Sequence, residues 1–592
     1  MRFTLCTLWM IGFGTLIAGA SACRKPVEPV PAGKPAPADD DAPPVPGGMR
    51  GGLPRNRFAY IPPQCYTATR DREGSAVHNP CYACHLHPVA PNFVDDSDLQ
   101  LSFRLPPGAA QNRWRNLFAP PFARAPRETD EQVLARVRES NYFDAAGEIP
   151  LARRLRALPA AWDGENDHRW NGYIPDARFH FDERGFDRNP DGSATGWRAF
   201  AYTPFLGGFM PTNGSMDDVL IRLDPALRQD ALGHWDQQIY EINLATVEAL
   251  IRRADVTINA VDERTLGVDI DLDGVIGVAR KVAFRAPRPG RPGMHYVGGA
   301  RALESDGTLQ LVPGLFPLNT EFLHSVRYLD VDASGAVAMA PRMKELRYTK
   351  KVRWFSPADL AARAAAEATE QTESPDGAIE FVWQFDRGIY NGQGWLLQGF
   401  IEAANGVLRP QSYEESLFCV GCHGEIGATT DSVFAFARKL DPEAAAHGWF
   451  HFTQRDRGFR GLGEPRRRDG RFEYSYYLAN NGGADDLREN TEAQARFFDS
   501  AGAPRPVAFE SLHRDISALL LPSAARALDL DRAYGAIVRA QSFTDGRDAV
   551  LATSRHVQER VKLGEKTGIE RALPGPNEAA PANPAIGHRL GG

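Results

Sequence analysis

The hydrophobic pattern changes character several times along the chain. Residues 3–19 are almost continuously apolar, broken only by Thr4, Cys6, Thr7 and Thr15. Residues 23–57 carry no apolar period and are dominated by Pro, Ala, Gly and charge, which predicts a semi-extended tether. Helical spacing follows in "ETDEQVLARVRES" and "PLARRLRAL". In residues 233–254 it puts Ile239, Ile242, Val247, Leu250 and Ile251 on roughly one helical face. Residues 255–355 read as strands: "VTINAV", "LGVDIDLDGVIGVARKVAF" and "LRYTKKVRWF" alternate β-branched and aromatic positions with polar ones. Ser356 and Pro357 then start a helix through "ADLAARAAAEATEQ". A later helix covers "RAYGAIVRAQSF", and the last twenty or so residues read as a tail.

Composition adds limits to this picture. The 592 residues are long enough for several domains, and 43% hydrophobic with 24% charged suits a buried core. Net charge is -7 with no long basic run, which disfavours a nucleic-acid partner for want of phosphate-neutralising Lys and Arg. With 55 Gly and 44 Pro, turns and irregular structure should be abundant.

The apolar leader follows Met1-Arg2 and ends in "ASAC", residues 20–23. This pattern resembles the lipobox of bacterial lipoproteins. The resemblance implies cleavage before Cys23, which becomes the lipidation site, and the tether behind it extends the likeness. An ordinary secretory signal and an uncleaved anchor are the alternatives, and all three export the chain. No Asp follows Cys23. By analogy the protein is expected on a membrane through its N-terminal lipid, facing the periplasm, or at the outer membrane or cell surface.

Seven cysteines remain to be placed: Cys6 in the leader, Cys23, Cys65, and the pairs Cys81/Cys84 and Cys419/Cys422. Both pairs have the spacing Cys-x-x-Cys, and each is followed directly by histidine, His85 and His423. Such short loops make poor structural disulfides. A four-cysteine zinc site would leave both histidines without a role, and a thioredoxin-like pair needs a βαβ context absent here. The pattern is that of covalent haem attachment. Two cysteines one helical turn apart reach the two vinyl groups, and the next residue, His, is the proximal iron ligand. Here the chain resembles the c-type cytochromes, with two haem c groups as the implied cofactors. The motifs are far apart in the chain, unlike the adjacent modules of dihaem peroxidases, so no particular family follows.

Distal ligands have no motif. No Met follows Met343, so downstream candidates at the second motif are histidines: His447 and His451 foremost, then His513 and His556. Near the first motif, His78 and His87 are the candidates. At least one iron is expected to have two histidine ligands. Two acidic loops resemble the first half of an EF-hand: "DIDLDG", with Asp269, Asp271 and Asp273 as possible calcium ligands, and "DRNPDG". The Glu expected at position twelve is replaced by Arg280 and Arg198, and a plain β-turn explains either stretch. Cys65 reads as a small buried residue.

Together these readings predict an α+β, multi-domain protein with haem-bearing helical or loop-rich regions flanking a β-rich middle. The expected divisions are a signal peptide at 1–22, a tether at 23–57, a first haem region at 58–200, a middle region at 201–375, a second haem domain at 376–570 and a tail at 571–592. The expected function is electron transfer with redox partner proteins. The alternatives are a haem-dependent oxidoreductase with one open iron, and a scaffold lipoprotein that docks a partner.

Overall fold

The strand-like alternation before the Ser356-Pro357 helix becomes the longest hairpin of a computed structural model. The structure describes residues 42–45, 54–70, 77–93, 95–124, 128–288, 293–373, 379–434, 436, 438–441, 448–454, 458–467, 469–481 and 487–573. The leader, Cys23, His447 and the tail beyond residue 573 lie outside the described residues. All described residues fall within one compact unit that begins at Asp39.

Fourteen strands are described. β1 (Thr69–Arg70) and β2 (Val77–His78) pair near the first cysteine motif. The main sheet takes β3 (Phe186–Arg188), β4 (Ala194–Ala199), β5 (Met216–Asp217) and β6 (Leu220–Arg222) from the first half of the chain. β7 (Val256–Asp262) and β8 (Val278–Val282) form a separate hairpin. The main sheet is completed by β9 (Glu321–Val331), β10 (Val337–Lys351), β11 (Trp383–Gln384), β12 (Gly388–Tyr390), β13 (Trp395–Glu402) and β14 (Leu408–Pro410). Its order is β11-β12-β13-β10-β9-β6-β4-β3, with β14 on β13 and β5 on β9, and these pairings are antiparallel.

Helices α1 to α11 are Asp130–Arg138, Pro150–Arg156, Gln237–Arg252, Ala300–Ser305, Pro357–Glu373, Tyr413–Val420, Glu473–Asn480, Thr491–Phe497, Pro506–Arg514, Ser517–Leu520 and Ala524–Ala540. The architecture is thus α+β, as expected. α1 starts where the capping box of Thr129 and Gln132 satisfies its first donors. α3 is buried on nearly every side, so its apolar stripe is wider than spacing alone implied. Strand alternation assigns the two faces of the sheet. Leu323, Leu346, Tyr348 and Phe400 join Tyr142, Trp162, Trp170, Tyr173 and Trp197 in one core, with Tyr173 stacked on Tyr348 at 4.0 Å. On the strand positions between them, Phe322, His324 and Val326 of β9 lie opposite Thr349, Arg347 and Glu345 of β10. That second face carries α6 and the second cysteine motif.

The chain ends of the folded body interleave. Ala68 N donates to His556 O at 2.7 Å, Phe103 N to Glu565 O at 2.9 Å and Val561 N to Ala110 O at 2.9 Å. The C-terminal segment therefore straps the region of the first motif.

Candidate functional site

Each cysteine motif winds through one helical turn. In the first, Asn79 Oδ1 accepts from Cys81 N at 2.9 Å and so caps the turn Pro80–Ala83. His85 N donates to Cys81 O at 2.8 Å, which sets Cys81, Cys84 and His85 around one turn. Asn79 is fully buried. Its amide also donates to Cys65 O at 3.3 Å, drawing Cys65 alongside.

The second motif ends α6. Ser412 and Glu415 form a capping box at the start of that helix. Arg409 holds the Glu415 carboxylate at 2.9 and 2.8 Å in a pair with no meaningful exposure. At the other end, Cys422 N and His423 N both donate to Cys419 O, at 3.2 and 3.0 Å. The two motifs thus share one local geometry, which follows from their shared spacing.

Tertiary structure then brings them side by side. Ala428 N donates to Cys84 O at 2.9 Å. Asn92 Nδ2 donates to Ile426 O at 3.2 Å, and Gly427 N to Asp96 Oδ2 at 3.1 Å. The approach is so close that only glycine fits. A Cβ on Gly427 would lie 1.8 Å from Leu86 O, and one on Gly421, inside the second motif, 1.9 Å from Tyr60 O.

Burial sets the protonation of these groups. It pushes the thiol of Cys65 up to about 12 and that of Cys422 up to about 11, and raises Cys81 and Cys419 as well. Neutral thiols of this kind are not the low-pKa thiolates of a redox-active pair, and all five described cysteines are unbridged. Burial, with Arg347 and His324 nearby, pushes the His423 imidazole down to about 3. It is therefore neutral, the form that ligates metal. The Nδ1 atoms of His85 and His423 are both buried without a hydrogen bond, although Asp96 Oδ2 stands 3.4 Å from that of His85. Beside the second motif, burial followed by Glu367 and Asp96 pushes the Glu425 carboxyl up to about 8.

These donors fit haem better than zinc. Each turn offers two thiols and a neutral or unpartnered imidazole at the spacing that covalent attachment needs. A shared zinc needs four ligands converging on one point. Among the described residues, only Glu263, Asp269 and Asp271 form a group of three or more metal-ligating side chains.

The expected distal histidines are scattered. His78 lies in β2. His87 is half exposed and is held by Asp95 at 3.2 Å and Ser97 Oγ at 2.9 Å. His513 contacts Glu464 at 2.8 Å and stacks on Phe472. His556 takes part through its backbone carbonyl. His451 is buried, with Nε2 2.5 Å from Asp218 Oδ2, Nδ1 2.6 Å from Thr453 Oγ1, and its ring stacked on Phe181. Both ring nitrogens are engaged, and neither is left for iron.

The His451 cluster has a consequence for stability. Burial pushes the Asp218 carboxyl up, but His451, Arg327 and the Ser325 backbone amide outweigh it and hold the group at about 2. A depressed carboxyl stabilises the fold above its unfolded value near 4, and that stabilisation is lost as pH falls through about 2. The expected loss is about 2 kcal/mol over that window. Urea midpoints measured from pH 5 to pH 2 should fall less steeply in Asp218→Asn than in the wild type.

The acidic loop holds two of its three expected ligands together. Asp269 and Asp271 group with Glu263, their ligand atoms within 4.8 Å of one another. Asp273 instead accepts from Val275 N at 2.7 Å. Glu263 lies six positions upstream, outside the loop pattern. It is fixed by N–H donors from Ile270 at 2.7 Å and Gly277 at 2.9 Å. "DRNPDG" begins in β3 with Asp187 and Arg188 and continues into the turn before β4, with Gly192 at φ +84°.

His324 went unmarked in the sequence. It sits on β9 directly opposite Arg347 of β10. The signal for it is strand alternation, which puts His324 on the face of Phe322 and Val326.

The fold and site now have a class. A family model described as ":-like lipoprotein" matches residues 52–505, which include both motifs, and the chain belongs to that lipoprotein family. Membership carries export and a lipid anchor. An uncharacterised lipoprotein of Aquifex aeolicus (strain VF5) is similar, 29% identical over 566 residues that cover 86% of this chain and 90% of the relative. No solved structure matches. The likeness to c-type cytochromes is corrected by these findings. It extends to two five-residue motifs, whereas the family match takes in most of the folded body. Among the described residues, no helix is long and apolar enough to cross a membrane.

Proposed function

We propose that this lipoprotein carries two covalently attached haem groups and passes electrons at the periplasmic side of a membrane or at the cell surface. The observation that carries the reading is the approach of the two motifs, in which Ala428 N, just past the second motif, donates to Cys84 O of the first at 2.9 Å. Residues 85–418 contain no cysteine, yet the fold returns the second motif to the first. Electron transfer falls steeply with distance, so two adjacent centres make a relay. Haem supplies reversible one-electron chemistry.

The protein's own groups have defined tasks in this reading. The thiols of Cys81, Cys84, Cys419 and Cys422 provide the attachment atoms. His85 and His423 each provide a ring nitrogen on the same turn. Arg347, paired with Glu345 at 2.9 Å, and Arg547, which reaches Glu345 at 3.1 Å, set two guanidinium groups against one carboxylate on the Phe418 side of the second motif, a local excess of positive charge. Such a charge favours the reduced state there.

Haem staining of denaturing gels, with intact mass, tests the proposal on protein matured with the export and attachment machinery. Two haem additions per chain are expected, falling to one in Cys419→Ala/Cys422→Ala. A mature mass without haem refutes the reading. Carbon monoxide separates carrier from enzyme: stoichiometric binding by one ferrous haem would favour the oxidoreductase alternative.

The anchor is proposed at Cys23. Cys23→Ser is expected to move the protein from the membrane pellet to the soluble fraction. A soluble wild type with an unmodified N-terminus would contradict this assignment.

A further inference from the structure

The wall facing the second motif contains one imidazole that the haem reading leaves unused. His324 projects from β9 on the same sheet face as Arg347, its register partner on β10. Arg347 lies over the ring of Phe209 at 4.4 Å and reaches that of Phe418, the residue before Cys419, at 6.0 Å. Phe209 in turn meets the His324 ring edge to face at 6.0 Å. His324, Phe209, Arg347 and Phe418 therefore form a continuous wall ending at the attachment cysteine.

The ring is also held as a metal ligand is held. Its Nε2 pairs with Asp217 Oδ2 at 2.8 Å, and the Asp217 side chain is 8% exposed. Metal-ligating histidines commonly give their other ring N–H to a carboxylate, which fixes tautomer and orientation. Nδ1 of His324 has no hydrogen-bond partner among the described residues. By contrast, both nitrogens of His451 are engaged, and His87 is half exposed in a loop.

We infer that His324 would supply a second imidazole to the iron of the group attached through Cys419 and Cys422, in addition to His423, with Asp217 as its positioning residue. The inference rests on the haem proposal and deepens it. It makes the second centre six-coordinate and closed to small ligands, which suits electron transfer. Its ligand comes from the sheet, outside the segment that carries the motif.

The test uses mature, lipid-anchored protein and reads haem number separately from iron coordination. Haem number comes from intact mass and pyridine haemochrome, and coordination from absorption and low-temperature EPR. In His324→Ala both haems are expected to remain. One should turn high-spin and bind one carbon monoxide per chain where the wild type binds none at that site. Added imidazole should restore the low-spin spectrum. His324→Met should stay six-coordinate with a raised potential, which covers the case in which the alanine variant fails to fold. Asp217→Asn should raise the midpoint potential while both haems remain, because the imidazole loses the carboxylate that makes it a stronger donor. His451→Ala should leave the haem spectra unchanged. A His324→Ala protein with two haems, all low-spin and inert to carbon monoxide, overturns the assignment, as does a wild type whose second haem already binds carbon monoxide. A wild type without haem instead refutes the proposed function, and that result is read from mass alone.

Discussion

Gly427→Ala is expected to destabilise the protein by about 3 kcal/mol or more, the upper range for forcing extra atoms into a filled site. The added Cβ would meet Leu86 O at 1.8 Å, Leu86 C at 2.6 Å and Leu86 N at 2.7 Å. These are backbone atoms, so no side chain can rotate away. Relief requires separating the segment after the second motif from the segment after the first. The bonds from Ala428 N to Cys84 O and from Gly427 N to Asp96 Oδ2 would stretch or break. Denaturant unfolding should show a lower midpoint. If both haems are attached, electron exchange between them should slow. An alanine variant with unchanged midpoint would mean that the two motifs do not meet here. Gly424→Ala is the control, since its Cβ meets no atom closer than Val420 O at 3.2 Å.

Glu415→Ala is expected to cost about 3–5 kcal/mol, the range for removing one partner of a buried ion pair. Burial works to raise the Glu415 carboxyl, but Arg409 holds it below the ordinary carboxylate range. Without it Arg409, which is fully buried, keeps only Gln541 Oε1 at 3.1 and 2.9 Å and its neighbour Pro410 O at 3.0 Å. The same substitution removes the capping box of α6, because Ser412 N donates to Glu415 Oε2 at 2.9 Å. α6 ends at the second motif, so the loss should reach Cys419. The double variant Arg409→Met/Glu415→Leu should recover a large part of the stability, since the uncompensated charge is gone. Thermal unfolding of the single and double variants measures the coupling. A single variant within about 0.5 kcal/mol of the wild type, the range of ordinary surface changes, would contradict the burial of this pair.

Local patterns were legible where their causes are local. The helix at 233–254 appears as Gln237–Arg252, and the helix after Ser356 as Pro357–Glu373. Periodicity and N-terminal chemistry act within a few residues. In the strand-like middle, "VTINAV" became β7 and "LRYTKKVRWF" the end of β10, whereas only Val278–Val282 of "LGVDIDLDGVIGVARKVAF" is strand and Ala300–Ser305 is helical. Alternation did not disclose that β10, beyond its hairpin partner β9, also pairs with β13, which lies on the far side of α5 in the chain.

The chemistry divides along the same line. Cys-x-x-Cys-His spans one helical turn, so sequence spacing alone determined that two cysteines and a histidine share one turn at residues 81–85 and again at 419–423. The tether composition and the small residues before Cys23 likewise spoke for export and a lipid anchor. Only the tertiary structure decided that the two clusters adjoin, that Glu263 and not Asp273 joins Asp269 and Asp271, and that His324 faces the second motif while His451 is consumed by Asp218 and Thr453. The meeting of the two motifs, the place of His324 and the pairing of His451 with Asp218 depend on residues brought together from distant parts of the chain by burial of apolar surface. That force is non-directional and leaves no spacing rule in the sequence from which the partners could be read.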